Sequence, residues 1–275
     1  MDLLKTTALG LSIGTFGMLT SYKDFIIPRM IICGVDEGVY QVRRNRTEEI
    51  LERILPQTIS SLEQELDVTF NGEPKFDFER SLLERNDDFG TFSPITNTIF
   101  INPDFAMVDD MFLNLACYGS CAPIERTLRH ELGHYYAQER IDAHGFYNWG
   151  LPSRVARLIV AALEQNPLLN GFNTYTFEQH PLIQEILAQT VVQEGIGRYF
   201  EYRGPDNQTN SDCVDIHGRI TFEQQGTMYA VGYALVSPII KEHGEKGILY
   251  LLQHPPKDTF LLGDYQRKAL TQLAR

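Results

Sequence analysis

Residues 129 to 136 read "RHELGHYY": His130 and His134 stand four apart, with Glu131 directly after the first. In a helix that spacing turns the second side chain by about 400° and advances it by about 6 Å, so both imidazoles leave one face and can converge on a single ion. Glu131 lies about 100° round from His130, beside such an ion rather than on it. A carboxylate there can take a proton from water that the ion has acidified, so the chemistry in prospect is metal-assisted hydrolysis. The pattern is short, and random ordering of a chain with 7 histidines yields it in roughly one chain per hundred, so the surroundings must decide.

Around the motif, "APIERTLRHELGHYYAQER" places Ile124, Leu128, Leu132, Tyr135 and Tyr136 on one side of a helix, which sets the histidines at the edge of a buried face. Catalytic zinc takes three protein ligands and keeps a fourth position for water. A third histidine on the adjoining turn would require glycine at 137 and histidine at 140, whereas the chain has Ala137 and Arg140, and His144 is displaced from that spacing. The third ligand is therefore sought elsewhere, and Glu194 is the candidate. It falls within about 60° of Ile183, Leu187 and Val191 on a helical projection, so a carboxylate sits in the apolar stripe of a buried helix. Such a charge is costly unless compensated, either by a metal or by an ion pair with Arg198 one turn on. Glu201 and Glu185 occupy the same helix and are the substitutes should Glu194 point away. Gly195 and Gly197 weaken that helix but let another helix come close, as two helices sharing one ion must.

Taken together, "HELGH" and "QEGIGRYFEY" some sixty residues later resemble the gluzincin metallopeptidases, over roughly residues 91 to 255. The resemblance implies a single zincin-like domain over 36–275 that binds one Zn²⁺ through His130, His134 and Glu194 and cleaves a peptide or protein substrate with Glu131 as general base. It also implies that a strand before the active-site helix forms a sheet edge for main-chain pairing with an extended substrate, a place that "TNTIFINPDF", 96 to 105, would fill. "MYAVGYALVSPIIKEHG" is similar to the Y-x-x-G segment of the aminopeptidase branch, which makes Tyr229 the oxyanion-stabilising residue, with Tyr233 as the alternative. The chain departs from that branch in lacking a G-x-M-E-N-like signature, so a free substrate amino terminus is not implied. His217 is read as a solvated loop residue and His254 as structural. Two readings of other classes stand beside the peptidase: a metallopeptidase-like domain that binds peptides or partners without cutting them, and a membrane-associated helical domain whose histidines bind nothing.

Placing these residues requires an α+β chain. The stretch "RTEEILERILPQTISSLEQEL" has a helical period interrupted by Pro56, which predicts one kinked helix or two short ones. "VTFNGEPKFDFERSLL" and "NTIFINPDF" read as strands. Helices follow over 122–140, 152–165, 180–203 and about 224–243, with a short one near 245–253; Pro123 and Pro181 suit first turns and Gly204 a terminator. The polar loop 204–218 is long enough to border a cleft.

Composition sets the outer bounds. With 275 residues, 43% of them hydrophobic, the chain can bury a sizeable core. A net charge of −12 with scattered basic residues argues against nucleic acid as a partner. Cys33, Cys117, Cys121 and Cys213 form no CxxC pair; Cys117 and Cys121 are either bridged or simply buried thiols. Residues 1–35 form an apolar N-terminal segment in which 17 uncharged residues separate Lys5 from Lys23, near the lower limit for a membrane span. Gly10, Gly14 and Gly17 are tolerated better in lipid than in a water-exposed helix, which tilts the reading toward an anchor or uncleaved signal, and so toward membrane association or export over a cytoplasmic location.

Overall fold

The computed structural model describes residues 40–78, 90–103, 123–146, 152, 155–156, 180–202 and 225–275. The N-terminal apolar segment, all four cysteines, the loop 204–218 with His217, Gly204 and most of the helix expected over 152–165 lie outside these residues. The described chain runs from a long helix α1 (40–66) through strands β1 (Lys75–Asp77), β2 (Gly90–Ser93) and β3 (Thr98–Ile101) to helices α2 (Pro123–His144), α3 (Pro181–Tyr202), α4 (Gln225–Gln253) and α5 (Leu262–Leu273). Among the described residues it is mostly helical with a small mixed sheet, an α+β arrangement, and no helix there is long and apolar enough to cross a membrane.

The helix starts follow proline chemistry: α2 begins at Pro123 and α3 at Pro181, where the missing N–H would have had no intrahelical partner. In α1 the helix continues through Pro56 rather than dividing there. Leu51, Leu62 and Leu66 bury its inner face. Its outer turn is fastened by Arg129, almost fully buried, which meets Glu65 at 3.3 Å, Glu125 at 3.3 Å and the Ser61 hydroxyl at 3.0 Å. In α4, Gly244 adopts φ 56°, ψ −136°, so the two helices expected on either side of it are present and meet at a kink. Further back, Pro238 cannot donate to the carbonyl of Ala234. Gln266 of α5 supplies that bond, its Nε2 lying 2.7 Å from the carbonyl oxygens of both Ala234 and Leu235.

Two expectations about strands are corrected. Val68 and Phe70 are buried with Thr69 exposed between them, yet the segment is irregular, because helix groups rather than a strand partner take up its polar groups. The Phe70 N–H donates to Glu63 at 3.0 Å, the Thr69 carbonyl accepts from Arg140 at 2.6 Å, and the Asn71 N–H donates to Glu139 at 3.2 Å. The Phe70 ring then packs among Tyr135, Tyr136 and Phe200. The second correction concerns the edge. The sheet order is β1-β3-β2, with β3 parallel to β1 and antiparallel to β2, so the strand in 96–105 is central and, among the described residues, β2 lies at an edge, next to α2. A four-residue turn at 94–97, with Asn97 in the left-handed region at φ 53°, joins β2 to β3 and sets the pairing Ser93 with Thr98 and Phe92 with Ile99.

The core centres on α3, which packs between α2 and α4. Leu187, Val191, Ile196 and Phe200 are buried on it, as are Leu128, Leu132 and Tyr136 on α2 and Leu235, Val236 and Ile239 on α4. Backbone meets backbone at two crossings. A Cβ on Gly133 would lie 2.9 Å from the Gly197 Cα, and a Cβ on Gly232 would lie 2.4 Å from the Val191 carbonyl oxygen and 2.8 Å from the Gly195 nitrogen. Because backbone cannot yield as a flexible side chain does, Gly232→Ala is expected to force α3 and α4 apart at a cost of about 1–3 kcal/mol or more. Urea unfolding checks this as a lowered midpoint with an unchanged slope.

Candidate metal centre

Three helices and one strand converge on the histidine pair. Thr127, Glu131 and Tyr135 recur at four-residue spacing and present one face of α2 to β2: Gly90 passes close to Thr127, the Phe92 N–H bonds the Glu131 carboxylate, and the Phe92 ring meets Tyr135 edge-on at 6.1 Å. His130, Gly133 and His134 present the adjacent face to α3, where Gly197 leaves the room they need. A Cβ on Gly197 would lie 2.8 Å from Cε1 and 2.9 Å from Nε2 of His130, and 3.0 Å from Nε2 of His134. The close approach expected of Gly195 and Gly197 is therefore real, and each faces a different neighbour: Gly195 meets Gly232 of α4, and Gly197 meets α2 with its imidazoles.

The ligand candidates converge. His130 Nε2 and His134 Nε2 are 3.1 Å apart, and Glu194 Oε2 lies 3.3 Å from the first and 3.4 Å from the second. An ion bonded tetrahedrally at about 2.0–2.1 Å from each donor requires donors about 3.3–3.4 Å apart, so the triangle fits. His130, His134 and Glu194 thus form a group able to hold a metal ion, and the substitutes Glu185 and Glu201 are not needed as ligands. Either protons or a cation must occupy the convergence, since two imidazole lone pairs and a carboxylate oxygen repel one another. Burial opposes a charged ring at His130, but the carboxylates of Glu194, Glu201 and Glu131 outweigh it and raise its proton affinity to about 10. The same negative field favours a divalent cation.

Glu131 is buried beside this triangle, and its carboxyl is pushed above the ordinary carboxylate range, first by burial and then by Glu194, against the opposing pull of both histidines and the Phe92 N–H. Tyr229 of α4 is half-buried and meets the His130 ring edge-on, with centroids 5.7 Å apart. Tyr233 instead packs against Tyr199 and Tyr202, so of these two candidates it is Tyr229 that meets His130. Arg198, the alternative partner considered for Glu194, turns to Glu201, with Nη1 at 2.6 and 2.8 Å from its two oxygens. Glu201 also meets Arg126 at 2.8 Å and the His130 Nδ1 at 3.4 Å. Burial would raise the Glu201 carboxyl, but these cations hold it down at about 2. His144 ends α2 and stacks on Phe146, and His254 lies exposed beside Tyr250 past the end of α4.

The cluster of Arg126, Arg198 and Glu201 was not anticipated as a unit. Its signal was faint: Arg126 lies one turn before His130, and Glu201 lies two turns after Glu194 on the same face. Comparison with protein-family models, curated proteins and solved structures returns no match for this chain.

Proposed function

We propose that the chain is a zinc-dependent peptidase of gluzincin type, with His130, His134 and Glu194 as zinc ligands and Glu131 as general base. The observation that carries this reading is the 3.1, 3.3 and 3.4 Å triangle of donor atoms with a buried carboxylate beside it. Two imidazoles and one carboxylate are a donor set that zinc takes at catalytic sites. When bound there, zinc supplies Lewis acidity, bringing the pKa of water down toward ~7 and polarising a carbonyl.

The chain's own residues do the rest. Glu131, pushed up by burial, accepts the proton released as water adds to the scissile carbonyl and then delivers it to the departing amine. Its Phe92 hydrogen bond fixes the carboxylate while the second oxygen serves the water. That bond leads to the substrate: among the described residues β2 is an edge strand beside the site, and a peptide laid along it in extended form would gain main-chain hydrogen bonds with its scissile bond beside the histidines. The Tyr229 hydroxyl donates to the oxyanion as it develops. Removing one such donor costs about 10²–10³ in kcat. Tyr229→Phe is therefore expected to lose that much turnover with KM and zinc content little changed, as steady-state kinetics and metal analysis would read.

The test of the reading is a cleavage screen of unfolded proteins and peptide libraries with zinc-loaded protein. Reproducible cuts that vanish in Glu131→Gln support it. Zinc-loaded protein that binds peptides and never cuts them would instead favour the non-catalytic scaffold.

A further inference from the structure

We infer that Arg126 is a specificity residue that selects substrates carrying a carboxylate within about two residues of the scissile bond. The inference rests on the peptidase reading of the site and names the class of peptide that the site takes. Two cations share one anion here: Arg126 Nη2 and Arg198 Nη1 both lie 2.8 Å from the same oxygen of Glu201. Guanidiniums keep their charge in any protein, and Glu201 is held ionised between them. One positive charge is therefore left over among the three groups. The nearby acids on the described helices are committed elsewhere. Glu125 meets Arg129 at 3.3 Å, Glu194 belongs to the donor triangle, and Glu131 lies beside that triangle. In a chain with a net charge of −12, the surplus cation stands out, and an anion beside it would relieve the repulsion between the two arginines.

The two arginines differ in access. Arg198 is 25% exposed, with its guanidinium 4.6 Å from the centre of the Tyr229 ring, whereas Arg126 is 40% exposed at the rim. Glu201 engages Nη2 of Arg126, and a guanidinium carries five donors in a planar fork that matches a carboxylate. Its position along the cleft follows from the pairing of β2 with α2. Thr127, next to Arg126, lies against Gly90, and Glu131, one turn later, takes the Phe92 N–H. Two residues of strand and one turn of helix both advance roughly 6–7 Å, so β2 and α2 keep step. A peptide laid along β2 with its scissile bond at the level of Glu131 therefore passes Arg126 about two residues away, toward Gly90. A carboxylate at that level gains a charge-assisted hydrogen bond that a neutral group does not. It can come from an aspartate or glutamate side chain or from the substrate's own C-terminus.

The test uses the full-length zinc-loaded protein and a peptide that it cuts. One set of variants of that peptide carries Glu or Gln at each of the two positions on either side of the cut. A second set ends within two residues of the cut, as free acid or as amide. The expected result is a kcat/KM about 10-fold higher for a carboxylate than for its neutral partner, a ratio that shrinks as salt is raised. A preference in the first set identifies a side chain as the source, and one in the second identifies the C-terminus. Arg126→Gln is expected to bring the ratio close to one. Arg267→Gln removes an exposed arginine of α5, paired there with Asp264, and is expected to keep the wild-type ratio. Should Arg126→Gln fail to fold, Arg126→Lys decides: it keeps the charge and loses the fork, so the ratio should fall part of the way, and an unchanged ratio overturns the inference. Equal kcat/KM for every charged and neutral pair, or a wild-type ratio in Arg126→Gln, overturns the inference and leaves the peptidase reading standing. Protein that loads zinc and cuts no peptide overturns that reading and the inference with it.

Discussion

Glu131→Gln is expected to retain stoichiometric zinc and lose peptide cleavage by about 10²–10⁴-fold, the range contributed by a positioned general base. The carboxylate is not a corner of the donor triangle; it lies beside it, buried and bonded to the Phe92 N–H. Glutamine preserves the volume and can still accept that hydrogen bond through its carbonyl, so the fold and the ligands should be undisturbed. What it cannot do is take up a proton. Metal analysis and cleavage assays on the same purified preparation check both halves, and full activity in this variant would refute the mechanism.

Gly197→Ala is expected to damage the metal centre as severely as loss of a ligand, although residue 197 contributes no ligand atom. The added Cβ would come within 3.0 Å of three imidazole atoms, two of them the Nε2 atoms of the donor triangle. Those rings cannot swing away without abandoning Glu194, and α3 cannot retreat as a whole because Gly195 is seated against Gly232 on its other side. The strain must open the triangle, and overpacking of this kind costs about 1–3 kcal/mol in stability besides. Zinc titration should show a markedly raised Kd in a protein that remains folded by circular dichroism. Gly195→Ala is the informative partner: it should destabilise through the α3–α4 crossing while its surviving folded fraction still binds zinc.

The donor set was legible because helical geometry is rigid. Spacing alone put His130 and His134 on one face, and the cost of a carboxylate in an apolar stripe singled out Glu194. The kink at Gly244 and the starts at Pro123 and Pro181 were legible for the same reason, since proline and glycine act locally. Strands fared worse. Val68 to Phe70 has the alternation of a strand, yet its backbone is held by the side chains of Glu63, at the end of the preceding helix, and Arg140, far along the chain, which no pattern within the segment could reveal. Conversely, β2 is four residues of "GTFS", too short and too polar to announce itself, and its place at the sheet edge depends on pairing with β3. The helix α5 carries a signal in Leu262, Ala269 and Leu273 on one side, but it is short and its remainder is mostly polar, so the period is weak. Arg126, Arg198 and Glu201 were hidden because surface charge and buried clamp look alike in sequence; only the closeness of α2 and α3 distinguishes them.

The central claim is that one zinc ion is held by His130, His134 and Glu194. Zinc-edge X-ray absorption on the zinc-loaded full-length protein tests it directly. The account predicts one tightly held zinc with two imidazole nitrogens and oxygen donors at about 2.0–2.2 Å and no sulfur in the coordination shell. Sulfur scattering near ~2.3 Å, or protein that retains no zinc after gel filtration, would contradict it.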